Sequence, residues 1–110
     1  MNLPLMKEGT LQSAATATGN GVAMEIAGFR SIAVIISGTF VGTVTFEVSH
    51  DGSTYEEIVM RKLDATSETY AFAPTAPAAF AIDLAGGFRY FRARVSAYTS
   101  GSITVTAGAC

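Results

Sequence analysis

The chain has no tryptophan, one histidine, one cysteine and three prolines, and only 15% of its residues are charged. A single cysteine excludes an intrachain disulfide and any cysteine-based structural zinc site. His50 stands beside Asp51 without the nucleophile and acid of a catalytic triad, or the three or four ligands of a metal site. The stretch His50-Asp51-Gly52-Ser53 reads instead as a hairpin turn. Glu56 and Glu57 are adjacent, so a strand points them to opposite faces and they cannot flank one glycosidic bond. Asp51, Asp64 and Asp83 lack the close spacing of a calcium loop. Neither Gly19-Asn20-Gly21 nor Gly86-Gly87 continues into a phosphate-binding loop. The chain therefore reads as a non-enzyme, and no cofactor or metal is expected.

The net charge of −2 offers no basic field for a nucleic acid. No apolar run approaches the roughly 18 to 20 residues of a membrane-spanning helix, so no membrane partner is expected. The first eight residues, Met1 to Glu8, lack the basic start and apolar block of a secretory signal, which predicts use without Sec export. An average soluble domain carries about 25% charged residues. Here Thr, Ser, Gly and Ala supply the surface instead, a composition suited to a protein that hides part of itself in an assembly.

What the sequence has in quantity is alternation. From Phe88 to Ala107, Phe91, Ala93, Val95 and Ala97 fall on one face with Ile103, Val105 and Ala107. Arg92, Arg94, Ser102, Thr104 and Thr106 fall on the other. The intervening Tyr98-Thr99-Ser100-Gly101 predicts a turn, and the whole segment a β-hairpin. A second hairpin joins Gly42–Ser49, with Val44, Phe46 and Val48 inward, to Tyr55–Met60. The run Ile32-Ala33-Val34-Ile35-Ile36 is β-branched and continuous, as for a strand buried on both faces. Further strands are predicted over Thr10–Ala17, Val22–Ala27, around Glu68–Phe72 and from Phe80 to Leu84. Arg89, Arg92 and Arg94 are expected to pair with Glu47, Glu56 or Glu57 across strands.

About eight short strands at intervals of roughly 10 residues predict an all-β protein, an antiparallel two-sheet β-sandwich of jelly-roll type. Residues 1–9 form an N-terminal arm and 10–110 a single domain. The apolar Leu3, Pro4, Leu5 and Met6 mark the arm as an intersubunit contact. The Cys110 thiol, at the end of the sequence, is a candidate for an intersubunit disulfide, although an idle thiol is the plainer reading.

Two segments carry a likeness. Gly42-Thr43-Val44-Thr45-Phe46-Glu47-Val48-Ser49-His50-Asp51-Gly52-Ser53-Thr54-Tyr55 resembles a G-T-V-T-F-E-x-S-x-D-G-x-x-W/Y pattern. Asp83 to Val105 resembles V-D-L-S-G-Y-R-Y-I-R-V-R-V-T-A-Y-T-S-G-S-V-T-V. Both patterns are similar to small β-sandwich modules in structural proteins of tailed bacteriophages. Tyr55 stands where Trp is frequent, and Gly87 is an extra residue before Phe88. The resemblance implies an auxiliary virion protein, a capsid decoration or cement subunit or the base of a head fibre. It would be made in the host cytoplasm and located in the virion. Its partners would be copies of itself, as dimer or trimer, and the major capsid protein or another virion protein. The alternative is a glycan- or cell-surface-binding module, for which Tyr55, Tyr90, Arg92, Arg94 and Tyr98 would form the ligand or partner face.

Overall fold

The structure, a computed structural model, describes residues 7–63, 69–71, 73–82 and 87–110. Among these residues ten strands follow one another: β1 (Lys7–Ala15), β2 (Met24–Glu25), β3 (Ile32–Ser37), β4 (Phe40–Ser49), β5 (Tyr55–Glu57), β6 (Met60–Lys62), β7 (Thr69–Ala71), β8 (Ala78–Ile82), β9 (Tyr90–Gly101) and β10 (Ile103–Ala109). Among the described residues there is no helix. One sheet has the order β1-β10-β3-β8-β6-β7 and the other β2-β9-β4-β5. Every pairing is antiparallel.

Setting β6 and β7 aside leaves the eight strands of a jelly roll. The pairs are nested: β1 with β10, β2 with β9, β3 with β8 and β4 with β5. A long hairpin rolled up in this way sends successive strands to alternate sheets, except at its tip, where β4 and β5 are neighbours in one sheet. The antiparallel β-sandwich read from the sequence is the fold, with β6 and β7 added at the β8 edge of the larger sheet.

The inner faces meet in one core. Ile32, Val34 and Ile36 of β3 and Ile103, Val105, Ala107 and Ala109 of β10 face Val44, Phe46 and Val48 of β4 and Phe91, Ala93 and Val95 of β9. Phe46 joins the layers: its ring lies 5.2 Å from Phe80 of the opposite sheet, edge to face, and 6.1 Å from Phe91. Such aromatic pairs contribute roughly 0.5–1.5 kcal/mol beyond the area they bury.

The predicted hairpin over the last third of the chain is not formed. β9 and β10 belong to different sheets and face each other across the core. Alternation is the same in either arrangement, because both turn Phe91, Ala93 and Val95 toward Ile103, Val105 and Ala107. The chain crosses between sheets at Gly101-Ser102, beside the β3–β4 crossing at Gly38-Thr39. Ser102 N–H donates to Thr39 O at 3.0 Å. Gly101 and Gly38 have φ of 89° and 109°, and a Cβ on either would run into the backbone of the other crossing, Thr39 O or Ser102 O. Glycine is required at both positions, since an L side chain is strained at these angles and has no room there.

Three other expectations change. The run Ile32–Ile36 is buried on one face only, and Ile35 is 56% exposed, because the outer face of the larger sheet is open. The strand predicted from Val22 to Ala27 shrinks to Met24–Glu25. Gly21 takes φ 66° and Val22 N–H bonds Leu11 O, which holds this stretch to β1 while the chain crosses over. β1 starts at Lys7, so the last three residues assigned to the arm are in the sheet. The short strand expected around Glu68–Phe72 is β7.

Candidate functional site

The outer face of the four-stranded sheet carries most of the polar residues singled out from the sequence. Cross-strand register sets Glu25, Tyr90, Ser49 and Tyr55 in one row, and Arg92, Glu47 and Glu57 in another. Glu47 is the hub of this face. It is buried although it points away from the core, because two arginines lie over it. Arg92 Nε donates to Glu47 Oε1 at 2.7 Å and Arg94 Nε to Oε2 at 3.1 Å. Arg94 also approaches Glu57, at 3.9 Å. The Arg92 guanidinium lies 3.7 Å from the centroid of the Tyr55 ring, a cation–π contact. Burial raises the Tyr55 phenol above its ordinary pKa, against the pull of the Arg92 charge. Thr45 and Ser96 hydroxyls extend the polar network at 2.8 Å.

At one end of this face the β4–β5 connection is fixed by its own side chains. Asp51 Oδ1 accepts from the Ser53 and Thr54 amides at 2.8 and 2.9 Å and from Ser49 Oγ at 3.1 Å. The Thr54 and Ser53 amides, with Ser49, hold the Asp51 carboxyl below its ordinary pKa of 3.8. Gly52, at φ 79°, lets the Tyr90 ring lie close against the turn. His50 stacks on Phe88 at 5.1 Å between centroids. Among the described residues no group of three His, Cys, Asp or Glu side chains could hold a metal ion.

The fold thus brings Tyr55, Tyr90, Arg92 and Arg94 together and leaves Tyr98 apart. Tyr98 sits toward the far end of β9, past the register irregularity between Thr43 and Val44, and its hydroxyl donates to Gly101 O at 2.7 Å. Cys110 is exposed, and its backbone is bound to Ser31 and Arg30 rather than free. Leu3, Pro4, Leu5 and Met6 lie outside the described residues.

Sequence reasoning missed two features. Gln12, at a register shift in β1, is buried and donates to Gly19 O at 3.1 Å and to Ala93 O of the opposite sheet at 2.9 Å. The outer face of the six-stranded sheet is the second. It is low and nearly uncharged: Thr10, Thr106, Ile35 and Ala79 form one row, and Glu8, Gly108, Ala33, Ala81 and Arg61 the next. Alternating small residues in three segments were its signal.

Fold and surfaces together define a small jelly-roll β-sandwich, with one outer face closed by an ion-pair network and the other open. The XepA family model matches residues 6–109, and the chain belongs to the XepA family. It is similar to the SPBc2 prophage-derived protein YomS, with a TM-score of 0.81 at 20% identity, covering 99% of this chain and 96% of that one. It is also similar to the PBSX exported protein XepA, with a TM-score of 0.78 at 19% identity. There 99% of this chain is covered but only 39% of XepA, so the chain spans well under half of that protein. No curated protein sequence matches it. The family model gives the family and the two solved structures give the fold, that of a small β protein.

Proposed function

We propose that this is a structural auxiliary virion protein of a tailed bacteriophage, a decoration or head-fibre-base subunit that acts by self-association and by binding the shell. The observation that carries this reading is the open outer face of the six-stranded sheet. Ile35, Ala33, Ala79 and Ala81 lie there among threonines, with Ile35 56% exposed. A face this poor in charge is suited to burial against protein. The opposite outer face, by contrast, has its charges matched internally. Membership of a phage-associated family supports the same reading. Leu3 to Met6 serve as a further intersubunit contact and Cys110 as an intersubunit lock. No catalytic step is assigned to the chain.

The test is reconstitution. Particles from a phage lacking the gene are mixed with purified protein and sedimented. Saturable binding supports the reading, and failure to bind any particle contradicts it.

A glycan- or cell-surface-binding role is the second reading. Tyr55 and Tyr90 flank Ser49 in one exposed-side row, and the relative XepA is named an exported protein. Retention on a glycan array, lost on Tyr90→Ala, would favour it.

A further inference from the structure

We propose that Asn20 is a site of spontaneous covalent modification, at which the folded chain converts its asparagine to isoaspartate and aspartate through a succinimide. This chemistry does not depend on the role proposed above. Asn20-Gly21 and Asp51-Gly52 are the two places where a residue with a short side-chain carbonyl precedes glycine. The other asparagine, Asn2, precedes Leu3, whose side chain obstructs the same reaction.

The fold treats the two pairs differently. The Asp51 carboxylate is turned forward to the Ser53 and Thr54 amides, at 2.8 and 2.9 Å, and the Gly52 N–H donates to Ser49 Oγ at 2.9 Å. Both reacting groups are engaged there, and the carboxyl, held below its ordinary pKa, is ionised and a poor electrophile. Asn20 and Gly21 are both exposed. Among the described residues neither the Asn20 side chain nor the Gly21 N–H has a hydrogen-bond partner. The glycine is also imposed by the fold: at φ 66° a Cβ on Gly21 would run into Leu11 O and the Gln12 side chain. The turn must therefore carry the residue that shields its own nitrogen least, beside an asparagine that suits a turn.

The Gly21 nitrogen, after losing its proton to base, attacks Asn20 Cγ. The N–Cγ bond forms, the Cγ–Nδ2 bond breaks, and the leaving nitrogen takes a proton from water and departs as ammonia. Water then opens the ring. Addition at Cγ restores the ordinary main chain as aspartate, and addition at the Asn20 main-chain carbonyl leaves the chain running through Cβ and Cγ as isoaspartate. Water is the sole co-reactant and nothing is oxidised or reduced. Either product adds one negative charge to a net charge of −2.

Isoaspartate lengthens the main chain by one atom inside a clamp. Gly19 exchanges two backbone hydrogen bonds with Val95 of β9, at 3.1 and 2.9 Å, and its carbonyl also accepts from Gln12 Nε2. Val22 N–H bonds Leu11 O of β1 at 2.9 Å. An extra atom between Gly19 and Val22 does not fit both anchors, so the tie between the two sheets loosens.

Folded chain and chain unfolded in urea, incubated side by side at mildly alkaline pH and followed by peptide mass mapping, test this. An isoaspartyl methyltransferase counts the isoaspartate. The peptide carrying Asn20 should gain about 1 Da in the folded chain at a rate within about tenfold of the unfolded one, while isomerisation at Asp51 should slow by more than about tenfold on folding. Asn20→Gln should abolish the acidic product. Asn20 left intact in the folded chain, beside conversion in urea, overturns the proposal, and equal rates at Asp51 in both states overturn the contrast between the turns. Asn20→Asp carries the new charge without the extra atom. Amide exchange at Val22 and Val95 should rise in the purified isoaspartate form and not in Asn20→Asp; equal exchange in the two overturns the loosened clamp.

Discussion

Glu47 and Arg92 are cross-strand partners on β4 and β9, joined at 2.7 Å, and the carboxylate is buried on a face that points away from the core. Its burial is produced by the arginines that cover it, so the pair and Arg94 behave as one unit. Removing Glu47 leaves two guanidinium groups without their shared partner.

Glu47→Ala should therefore destabilise the fold by about 2 kcal/mol, below the value for a fully buried pair because Arg94 is partly solvated. Urea denaturation measures it. A double-mutant cycle with Arg92→Ala should show coupling above about 0.5 kcal/mol. Additive effects would mean that the pair is not a unit.

The corner glycines give a sharper contrast. Gly101→Ala places a Cβ against Thr39 at φ 89° and should cost well over 2 kcal/mol. Gly28 has φ 90° but open space around it, so Gly28→Ala should cost only about 1 kcal/mol. Thermal unfolding of the two variants separates steric contact from backbone strain.

Gln12→Ala removes the side-chain donors to Gly19 O and to Ala93 O across the sandwich. A loss of about 1–3 kcal/mol is expected. Amide exchange should rise at Val95, whose N–H bonds Gly19 O.

Asp51 ties stability to acid. Its folded pKa lies below the ordinary 3.8, so its contribution is present above the unfolded value and is lost as pH falls through the lowered folded value. Wild type and Asp51→Asn should therefore differ by a constant amount above about pH 5, and the difference should shrink as pH falls through the lowered folded value. Denaturation across pH 2 to 7 measures this, and a constant difference throughout would contradict the assigned bonds.

Alternation made the inner face legible: Val44, Phe46, Val48, Phe91, Ala93, Val95, Ile103 and Val105 all lie where their spacing puts them. Pairing was harder to read. Phe91 and Ile103 face the same core whether their strands are neighbours in one sheet or opposite each other in two. Only long-range register decides, and in a rolled topology it pairs β9 with β2 and β4. The run Ile32–Ile36 misled for a related reason, since continuous apolarity does not say whether a second layer covers it. The cluster of Tyr55, Tyr90, Arg92 and Arg94 was legible from strand parity. Tyr98 was not, because the irregularity at Thr43/Val44 intervenes and Tyr98 packs against the core.

The most direct measurement of the central claim is a quantitative protein inventory of gradient-purified phage particles. A virion role predicts this chain in the particles at a fixed copy number relative to the shell protein, retained through repeated banding. Its absence from the particles, with the protein present only in cells or medium, would contradict that role.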